Sequence, residues 1–166
     1  GYDVNEYDVR DVRRLFSVMF QNYARYSLTL RECIGLSDIG QLDDTRAIME
    51  AIEKGGAAGF YDKFGNGLDS YVTKQFSDDG VELSGGEHQK LALCRTYFKN
   101  APFYIFDEPS AALDADAEDR LLQNFASLSE GKTGIIISHR LSSSRMADKI
   151  IVLDGGVAAE TGSHEE

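Results

Sequence analysis

Long hydrophobic runs and clustered cysteines are both absent from this sequence of 166 residues. The longest apolar stretches, such as FYIF and GIIIS, fall far short of the roughly 20 residues needed to cross a bilayer. The two cysteines, Cys33 and Cys94, do not have the spacing of metal ligands. We therefore expect a soluble chain whose cysteines are reduced, packed thiols in a cytosolic setting.

Basic residues are also scarce, because 17 lysines and arginines stand against 28 aspartates and glutamates, for a net charge of -11. Binding to a nucleic-acid backbone needs a basic footprint, so we expect no nucleic-acid partner. Any anionic ligand has to be held by local geometry instead. The length and the hydrophobic content of 42% agree with one globular domain that has a true core.

One stretch, ASLSEGKTG at residues 126–134, superficially matches a phosphate-binding loop. A working loop of that kind follows a strand and opens a helix. Here the order is reversed, because a helical pattern beginning behind Asp114 precedes the stretch and the apolar segment TGIIIS follows it. We interpret the stretch as a connector from a helix to a strand, and no other Gly-Lys-Ser/Thr occurs in the sequence.

The first half of the sequence predicts a strand followed by a helical region. The segment RLFSVMFQ has the apolar and aromatic character of a strand that ends at Gln21. DDTRAIMEAIEKGG places its apolar residues on one helical face, with a stop at Gly55. Glycines and polar residues between Gly55 and Gly80 indicate loops, with a small helix around residues 57–64.

From Ser84 onward the patterns alternate between helix and strand, which predicts a parallel α/β sheet. FYIFD and TGIIIS are the expected buried strands, and the DGG after KIIVLD is typical of a turn joining two antiparallel edge strands. Ligands of such sheets bind beyond the carboxyl ends of the strands.

The segment SGGE has the features of an anion-binding helix start. Ser84 and Glu87 have the spacing of a capping box, in which each residue satisfies a backbone N–H at the helix end. Gly85 and Gly86 leave that first turn uncovered, so its N–H groups can approach a phosphate closely. On these four residues alone, a capped helix that binds nothing is an equally valid interpretation.

Two carboxylates follow the predicted strand FYIF, at the edge where a ligand would bind. Adjacent strand residues point to opposite sides, so Asp107 can help to hold Mg²⁺ while Glu108 faces an attacking water. Asp114 then caps the next helix. The alternative is that both carboxylates are simply solvated.

Two further polar residues are predicted to share this edge. His139 directly follows the strand TGIIIS, and Gln21 closes the strand RLFSVMFQ. Because the carboxyl ends of parallel strands lie at one edge of a sheet, both side chains are expected near the acidic pair. A ligand role is the favoured interpretation of His139.

Five motifs in this order resemble those of an ABC transporter nucleotide-binding domain. In chain order, Phe20 with Gln21 looks like the Q-loop, LSGGE at residues 83–87 the signature motif, FYIFDE at 103–108 the Walker B motif, SAALD at 110–114 the D-loop, and ISHR at 137–140 the H-loop. The flanking residues are more similar to bacterial exporters than to importers. The resemblance implies an α/β fold with an incomplete P-loop NTPase-like parallel sheet core and an α-helical ABC subdomain. The helical subdomain would cover about residues 22–83. Residues 1–21 and 84–166 would form part of the RecA-like core.

The resemblance also implies that the chain acts on ATP and Mg²⁺ across a dimer seam. The nucleotide-binding residues it implies are Ser84, Gly85, Gly86, Glu87 and Asp114. The glycine turn would contact the γ-phosphate of ATP held by a second nucleotide-binding domain, identical or different. Asp114 would lie in the loop that crosses the interface.

The catalytic residues that the resemblance implies lie on the other side of the seam. Glu108 would be the general base, Asp107 a Mg²⁺ partner and His139 a γ-phosphate sensor. Gln21 would contact Mg²⁺ and link the nucleotide to the transmembrane domain, which places the protein at the cytoplasmic face of a bacterial plasma membrane.

The family's phosphate loop and adenine-stacking aromatic precede the Q-loop, and the present residues begin after both. We therefore expect these 166 residues alone to be inactive as an ATPase. Two rival classes stay open: an ABC-type ATPase of chromosome or repair machinery, although no heptad run for its coiled coil occurs, and a non-catalytic partner that offers only its signature helix. The transported substrate cannot be inferred from these motifs.

Overall fold

A computed structural model describes residues 3–110 and 113–164 of the chain. Within those residues it contains six α-helices, five strands and four short 3-10 helices. The α-helices and strands are, in chain order, α1 (Val9–Arg14), β1 (Phe16–Met19), α2 (Leu30–Gly35), α3 (Thr45–Lys54), α4 (Ala58–Tyr61), α5 (Gly85–Phe98), β2 (Phe103–Asp107), α6 (Ala115–Ser129), β3 (Thr133–Ile137), β4 (Ile150–Asp154) and β5 (Val157–Gly162). The 3-10 helices are Val4–Glu6, Ile39–Gln41, Gly67–Asp69 and Leu141–Met146.

Three strands form the parallel sheet that the alternating pattern predicts. Their order is β1-β2-β3, with Met19 opposite Phe106 and Asp107 opposite Ile137. Since all three strands run in the same direction, their carboxyl ends meet at one edge. This edge carries the segments that begin at Phe20, Glu108 and Ser138.

The central strand β2 is enclosed by aromatic side chains from α5 and α6. Tyr104 and Phe106 are completely buried. The Phe106 ring lies 4.7 Å from the Phe125 ring of α6 and 6.2 Å from the Tyr97 ring of α5, measured between centroids. Such contacts stabilise β2 through buried apolar area and through ring packing.

Helix α3 forms where its sequence pattern predicts it. Its first turn is capped by Asp44, whose Oδ1 accepts a hydrogen bond of 3.0 Å from the Ala47 N–H. The apolar face buries Ile48 and Ile52 against α5. Gly55 ends the helix, and a Cβ at that position would lie 2.4 Å from Cys94 Sγ, so the close approach of α3 and α5 requires a glycine there.

The strand β3 is present, but the prediction that it is buried is wrong. Ile135 and Ile137 are 46% and 51% exposed. Among the described residues β3 pairs only with β2, so it is an edge strand, and the face that carries Ile135 and Ile137 stays exposed while Ile136 packs against the core on the other face. On the opposite face Gly134 leaves room for the Phe125 ring, which would lie 2.5 Å from a Cβ at this position.

Three further details differ from the sequence-based expectation. Strand β1 ends at Met19, before Gln21, because Phe20 leaves the ladder and is 62% exposed. The small helix predicted around residues 57–64 is shorter, and α4 covers Ala58–Tyr61. The strands β4 and β5 pair with each other as predicted, but they form a separate two-stranded sheet instead of an edge of the main one.

The turn between β4 and β5 has the predicted chemistry. Gly155 and Gly156 have φ angles of 54° and 84°, the left-handed region that a tight two-residue hairpin turn requires. Cys33 and Cys94 are both free and buried, as predicted, and burial raises the pKa of the Cys33 thiol to about 11. Over residues 3–110 and 113–164, no helix has the length and hydropathy of a membrane span.

Candidate nucleotide site

The carboxyl edge of the parallel sheet brings Glu108 and His139 into direct contact. His139 Nδ1 lies 2.8 Å from one carboxylate oxygen of Glu108 and 2.7 Å from the other. If Glu108 is ionised, its carboxylate can only accept hydrogen bonds, and Nδ1 is then the donor in this contact. The Glu108 side chain is 20% exposed and that of His139 is 72% exposed, so the pair faces solvent on the histidine side.

The backbone at Glu108 explains how the carboxylate reaches the histidine. Glu108 has a φ of 50°, in the left-handed region that a residue with a Cβ seldom adopts. Its N–H still donates to the Ile137 carbonyl oxygen at 2.9 Å, so the chain turns away from the ladder only after this bond. The turn lies directly against the end of β3, from which His139 follows.

Asp107 and Gln21 lie at the same edge of the sheet. Asp107 is the last residue of β2 and is half-buried, whereas Gln21 is exposed two residues beyond the end of β1. The described residues contain no group of three or more His, Cys, Asp or Glu side chains that could hold a metal ion. A single carboxylate at a strand end fits Mg²⁺ that is also held by phosphate oxygens, and does not fit an all-protein metal site.

The predicted capping box at the start of α5 is present. Ser84 Oγ accepts from the Glu87 N–H at 3.3 Å, and Glu87 Oε2 accepts from the Ser84 N–H at 2.9 Å. Apart from its chain neighbours and the backbone of its own helix, a Cβ built on Gly85 or Gly86 would meet no atom of the described residues within 4 Å, so the space beside both glycines is open. An uncovered helix start of this kind can accept an anion on its free N–H groups.

Two side chains from distant segments hold the first turn of α5. Tyr23, just after Gln21, donates its hydroxyl to the Gly85 carbonyl oxygen at 3.0 Å. Lys63 Nζ donates to Glu87 Oε1 at 2.5 Å. The Lys63 hydrogen bond, followed by that from the Ser84 N–H, lowers the pKa of Glu87 to about 2. Both contacts join the glycine turn to the segment between the Q-loop-like residues and α5.

The low pKa of Glu87 predicts an acid-dependent loss of stability. The folded chain keeps this carboxylate ionised down to about pH 2, whereas the ordinary value is 4.5. Between these values the unfolded chain binds more protons, so the free energy of unfolding falls as the pH is lowered. We expect urea unfolding measured from pH 5 to pH 2 to show a smaller fall for Glu87→Gln than for the wild type.

The matched control for this experiment is Glu53→Gln, which removes the same charge from an exposed glutamate of α3. The free energy of unfolding of Glu53→Gln should vary with pH almost as it does in the wild type. The Glu87→Gln variant should differ more from the wild type. Identical pH profiles for Glu87→Gln and the wild type would contradict a role of the Lys63 contact in stability.

Asp114 caps the next helix, as predicted, and its Oδ1 accepts from the Ala117 N–H at 2.8 Å. Its side chain is exposed. Part of the SAALD motif, residues 111–112, lies outside the described residues. The exposed cap agrees with the predicted position at a subunit seam, which remains a prediction.

The glycine turn and the acidic edge are separate features of one chain. Within residues 3–110 and 113–164, no hydrogen bond or ion pair joins the residues 84–87 to Glu108 or His139. The nearest link is indirect, because Gln89 of α5 donates to the Pro109 carbonyl oxygen directly after Glu108. In one copy of the chain the two features therefore do not form a single cluster.

Several side chains around these features have no counterpart in the sequence-based predictions. They are Tyr23, Lys63, and the buried Glu118 that bonds to Arg140. A signal for Glu118 was available, because it lies on the same face of α6 as Leu121, Leu122 and Phe125, where an apolar residue is expected. The partners of Tyr23 and Lys63 lie 62 and 24 residues away, so local patterns could not reveal them.

A groove of about 540 Å³ opens beside the outer edge of β1, on the side away from β2. Apolar rings and aliphatic side chains line it together with basic side chains. The residues that define this β1 groove include Phe16, Val18, Tyr26, Leu36, Arg95 and Lys99. Arg95 also stacks over the Tyr26 ring, with its guanidinium carbon 4.9 Å from the ring centroid.

Comparison with known proteins finds relatives over the whole length of the chain. The family profile described as "ABC transporter" matches residues 1–111. The subtilin transport ATP-binding protein SpaT of Bacillus subtilis is 40% identical over 166 residues, which cover 100% of this chain and 27% of that protein. The nisin transport ATP-binding protein NisT of Lactococcus lactis subsp. lactis is 42% identical over 149 residues, covering 90% of this chain and 25% of that protein.

The fold is likewise similar to a solved structure, described as a bacterial Atm1-family ABC exporter with ATP bound. The TM-score is 0.85 at 32% identity, over 99% of this chain and 28% of that chain. The present chain thus spans about a quarter of the length of the proteins that it matches.

Proposed function

The chain belongs to the ABC transporter family, and from that membership we propose that it forms part of the ATP-hydrolysing region of an exporter. The contact between Glu108 and His139, at the carboxyl ends of adjacent parallel strands, is the observation that carries this proposal. Ligands of parallel α/β sheets bind at this edge. The names of the relatives, which include transport ATP-binding proteins, agree with the proposal.

Glu108 is proposed as the general base that accepts a proton from the attacking water. Its carboxylate is held by His139 and remains partly exposed, so a water molecule can reach it. His139 Nδ1 is engaged by Glu108, which leaves Nε2 as the ring nitrogen for a phosphate oxygen. Positioned general bases contribute roughly 100- to 10,000-fold to a reaction rate.

ATP and Mg²⁺ are the proposed cofactors, and the residues present fit them. Asp107 and Gln21 would hold Mg²⁺, which supplies positive charge that stabilises the phosphates during transfer. The uncovered turn at Ser84, Gly85 and Gly86 would bind the γ-phosphate of a nucleotide held by a second copy or a related domain. This arrangement requires a dimer, because in one copy the turn and Glu108 are not in contact.

The β1 groove is the proposed docking surface for a transmembrane domain. It includes Phe20, the residue before Gln21, and opens between β1, α1, α5 and the residues that follow α2. Docking there would connect the residue that contacts Mg²⁺ to the membrane part of the exporter. The protein would then act at the cytoplasmic face of the membrane.

The proposal is tested by comparing the complete gene product, meaning the natural protein that carries these residues, with the 166-residue chain. We expect phosphate release from ATP by the complete gene product in Mg²⁺ and none after Mg²⁺ is removed with a chelator. The chain alone contains no phosphate loop, the part that cradles the β- and γ-phosphates. It should therefore release no phosphate and give no micromolar ATP binding by calorimetry.

An inactive complete gene product would contradict the proposed function. It would favour the other interpretation, in which the chain contributes only its signature helix to an active partner. Micromolar ATP binding by the 166-residue chain would contradict the expectation that these residues alone do not form a complete nucleotide site.

A further inference from the structure

We propose that Glu118 is a positioning residue that holds the two segments carrying Glu108 and His139 in register. The inference rests on the proposed function of that pair. Glu118 itself does not touch Glu108 or His139. It acts through their chain neighbours, which it joins to the first turn of α6.

Glu118 occupies a position where a carboxylate is costly unless it is fully bonded. It is 7% exposed and lies on the inward face of α6, in line with Leu121, Leu122 and Phe125. Burying a charged group without partners is strongly unfavourable. A buried glutamate on an otherwise apolar helix face therefore indicates that its bonds serve a purpose other than filling the core.

The bonds of Glu118 all lead to the carboxyl edge of the sheet. Arg140 Nη1 donates to Oε2, and Ser142 Oγ donates to Oε1 at 2.7 Å. Ser110, which is 5% exposed, also lowers the pKa of the same carboxylate. Burial raises the pKa of Glu118, but the bonds from Ser142 and Arg140 outweigh that effect and the pKa lies below its ordinary value.

These partners lie immediately beside the proposed reactive pair. Arg140 follows His139 in the chain, and Ser110 lies two residues after Glu108. Arg140 is itself fixed, because its N–H donates to Ser138 Oγ at 3.0 Å. Glu118 thus ties the segment after β3 to α6, the helix that follows β2 and Glu108 in the chain.

His139 needs such an anchor because little else fixes it. Its side chain is 72% exposed, and its contact with Glu108 depends on the loop that leaves β3. Glu108 itself holds an uncommon left-handed conformation, which persists only where the surroundings enforce it. Holding Arg140 and Ser142 against the first turn of α6, the helix that follows Glu108, limits how far Glu108 and His139 can separate.

The test is Glu118→Gln in the complete gene product, with kcat and KM for ATP measured separately. The amide keeps the shape and can still accept a bond from Ser142, but it loses the charge that holds Arg140. We expect kcat to fall about tenfold or more, since small misplacements of reacting groups cost up to about 100-fold. KM should change by less than about twofold, because Glu118 does not contact the nucleotide site directly. A loss confined to kcat indicates an interaction that matters in the reaction step and not in substrate binding.

The control Asp11→Asn makes the same chemical change in α1, where Asp11 pairs with Arg14 at 3.2 Å on the surface. It should leave kcat and KM unchanged.

If Glu118→Gln unfolds, Ser142→Ala is the second variant. It removes one hydroxyl and keeps the Arg140 pair, and a decrease in kcat without a change in KM is still expected. Ser142→Ala with kinetics equal to the wild type would then overturn the inference.

A double variant separates positioning from general destabilisation. If Glu118 acts through Glu108, then Glu118→Gln should cause little further loss in a Glu108→Gln background, because residues that act as a unit are not additive. An additive loss, or a raised KM with unchanged kcat, would overturn the inference. Unchanged kinetics of Glu118→Gln, together with an inactive Glu108→Gln, would overturn the inference and leave the proposed function intact. An active Glu108→Gln would instead overturn the proposed role of Glu108 as general base.

Discussion

Replacing Glu108 by glutamine in the complete gene product should lower kcat for ATP hydrolysis by about 100- to 10,000-fold. The amide matches the carboxylate in shape and can still accept the hydrogen bond from His139 Nδ1, which in the wild type is 2.8 Å long. It cannot accept a proton from water, so only the base function is removed. ATP binding, measured at equilibrium in Mg²⁺, should remain within about twofold of the wild type, since a loss confined to kcat marks an interaction of the transition state.

The control for this change is Glu160→Gln, which alters an exposed glutamate of β5 in the same way. It should leave both kcat and ATP binding unaltered. A Glu108→Gln protein that keeps most of its hydrolytic rate would show that another group takes the proton, and the contact with His139 would then be structural. A protein that loses ATP binding together with its rate would instead indicate that Glu108 supports the nucleotide.

The sequence predicts those parts of the fold that short-range chemistry determines. The capping box at Ser84 and Glu87 specifies where α5 begins, because both of its hydrogen bonds join residues three apart. Asp114 likewise specifies the start of α6. The glycines at 155 and 156 predict the hairpin turn, because only a residue without a Cβ adopts their φ angles at no cost.

Burial and long-range contacts could not be predicted in the same way. The run of isoleucines in β3 predicts a strand correctly, but the exposure of Ile135 and Ile137 depends on what packs beside the sheet. Tyr23 meets Gly85 only because β1 and α5 are neighbours in the fold. The pairing of Glu118 with Arg140 similarly depends on α6 lying against the chain that follows β3.

For the candidate site, too, some features could be predicted from the sequence and others could not. Adjacent strands in a parallel sheet place their carboxyl ends together, so the meeting of Glu108 and His139 follows from strand order once the helix and strand pattern is known. The left-handed turn at Glu108 and the residues that support it do not follow from strand order. They require the contacts between side chains that only the folded chain contains.

Replacing Phe106 by alanine should destabilise the 166-residue chain by about 3–5 kcal/mol. Phe106 is completely buried, and its ring packs on the rings of Phe125 and Tyr97 at centroid distances of 4.7 and 6.2 Å. The variant loses the buried ring and leaves a cavity that its aromatic neighbours only partly fill. Because domains of this kind unfold with a total of roughly 5–15 kcal/mol, urea denaturation should detect a large shift of the midpoint.

Phe76→Ala is the matched control, because it removes the same ring from a residue that is 63% exposed and packs edge-on against Tyr71. Its cost should stay below about 1 kcal/mol. The difference between the two variants therefore measures the enclosure of Phe106 and not the intrinsic properties of phenylalanine. Phe106 directly precedes Asp107 and Glu108, so similar costs for both variants would mean that β2 lacks the packing that holds the acidic pair at the sheet edge.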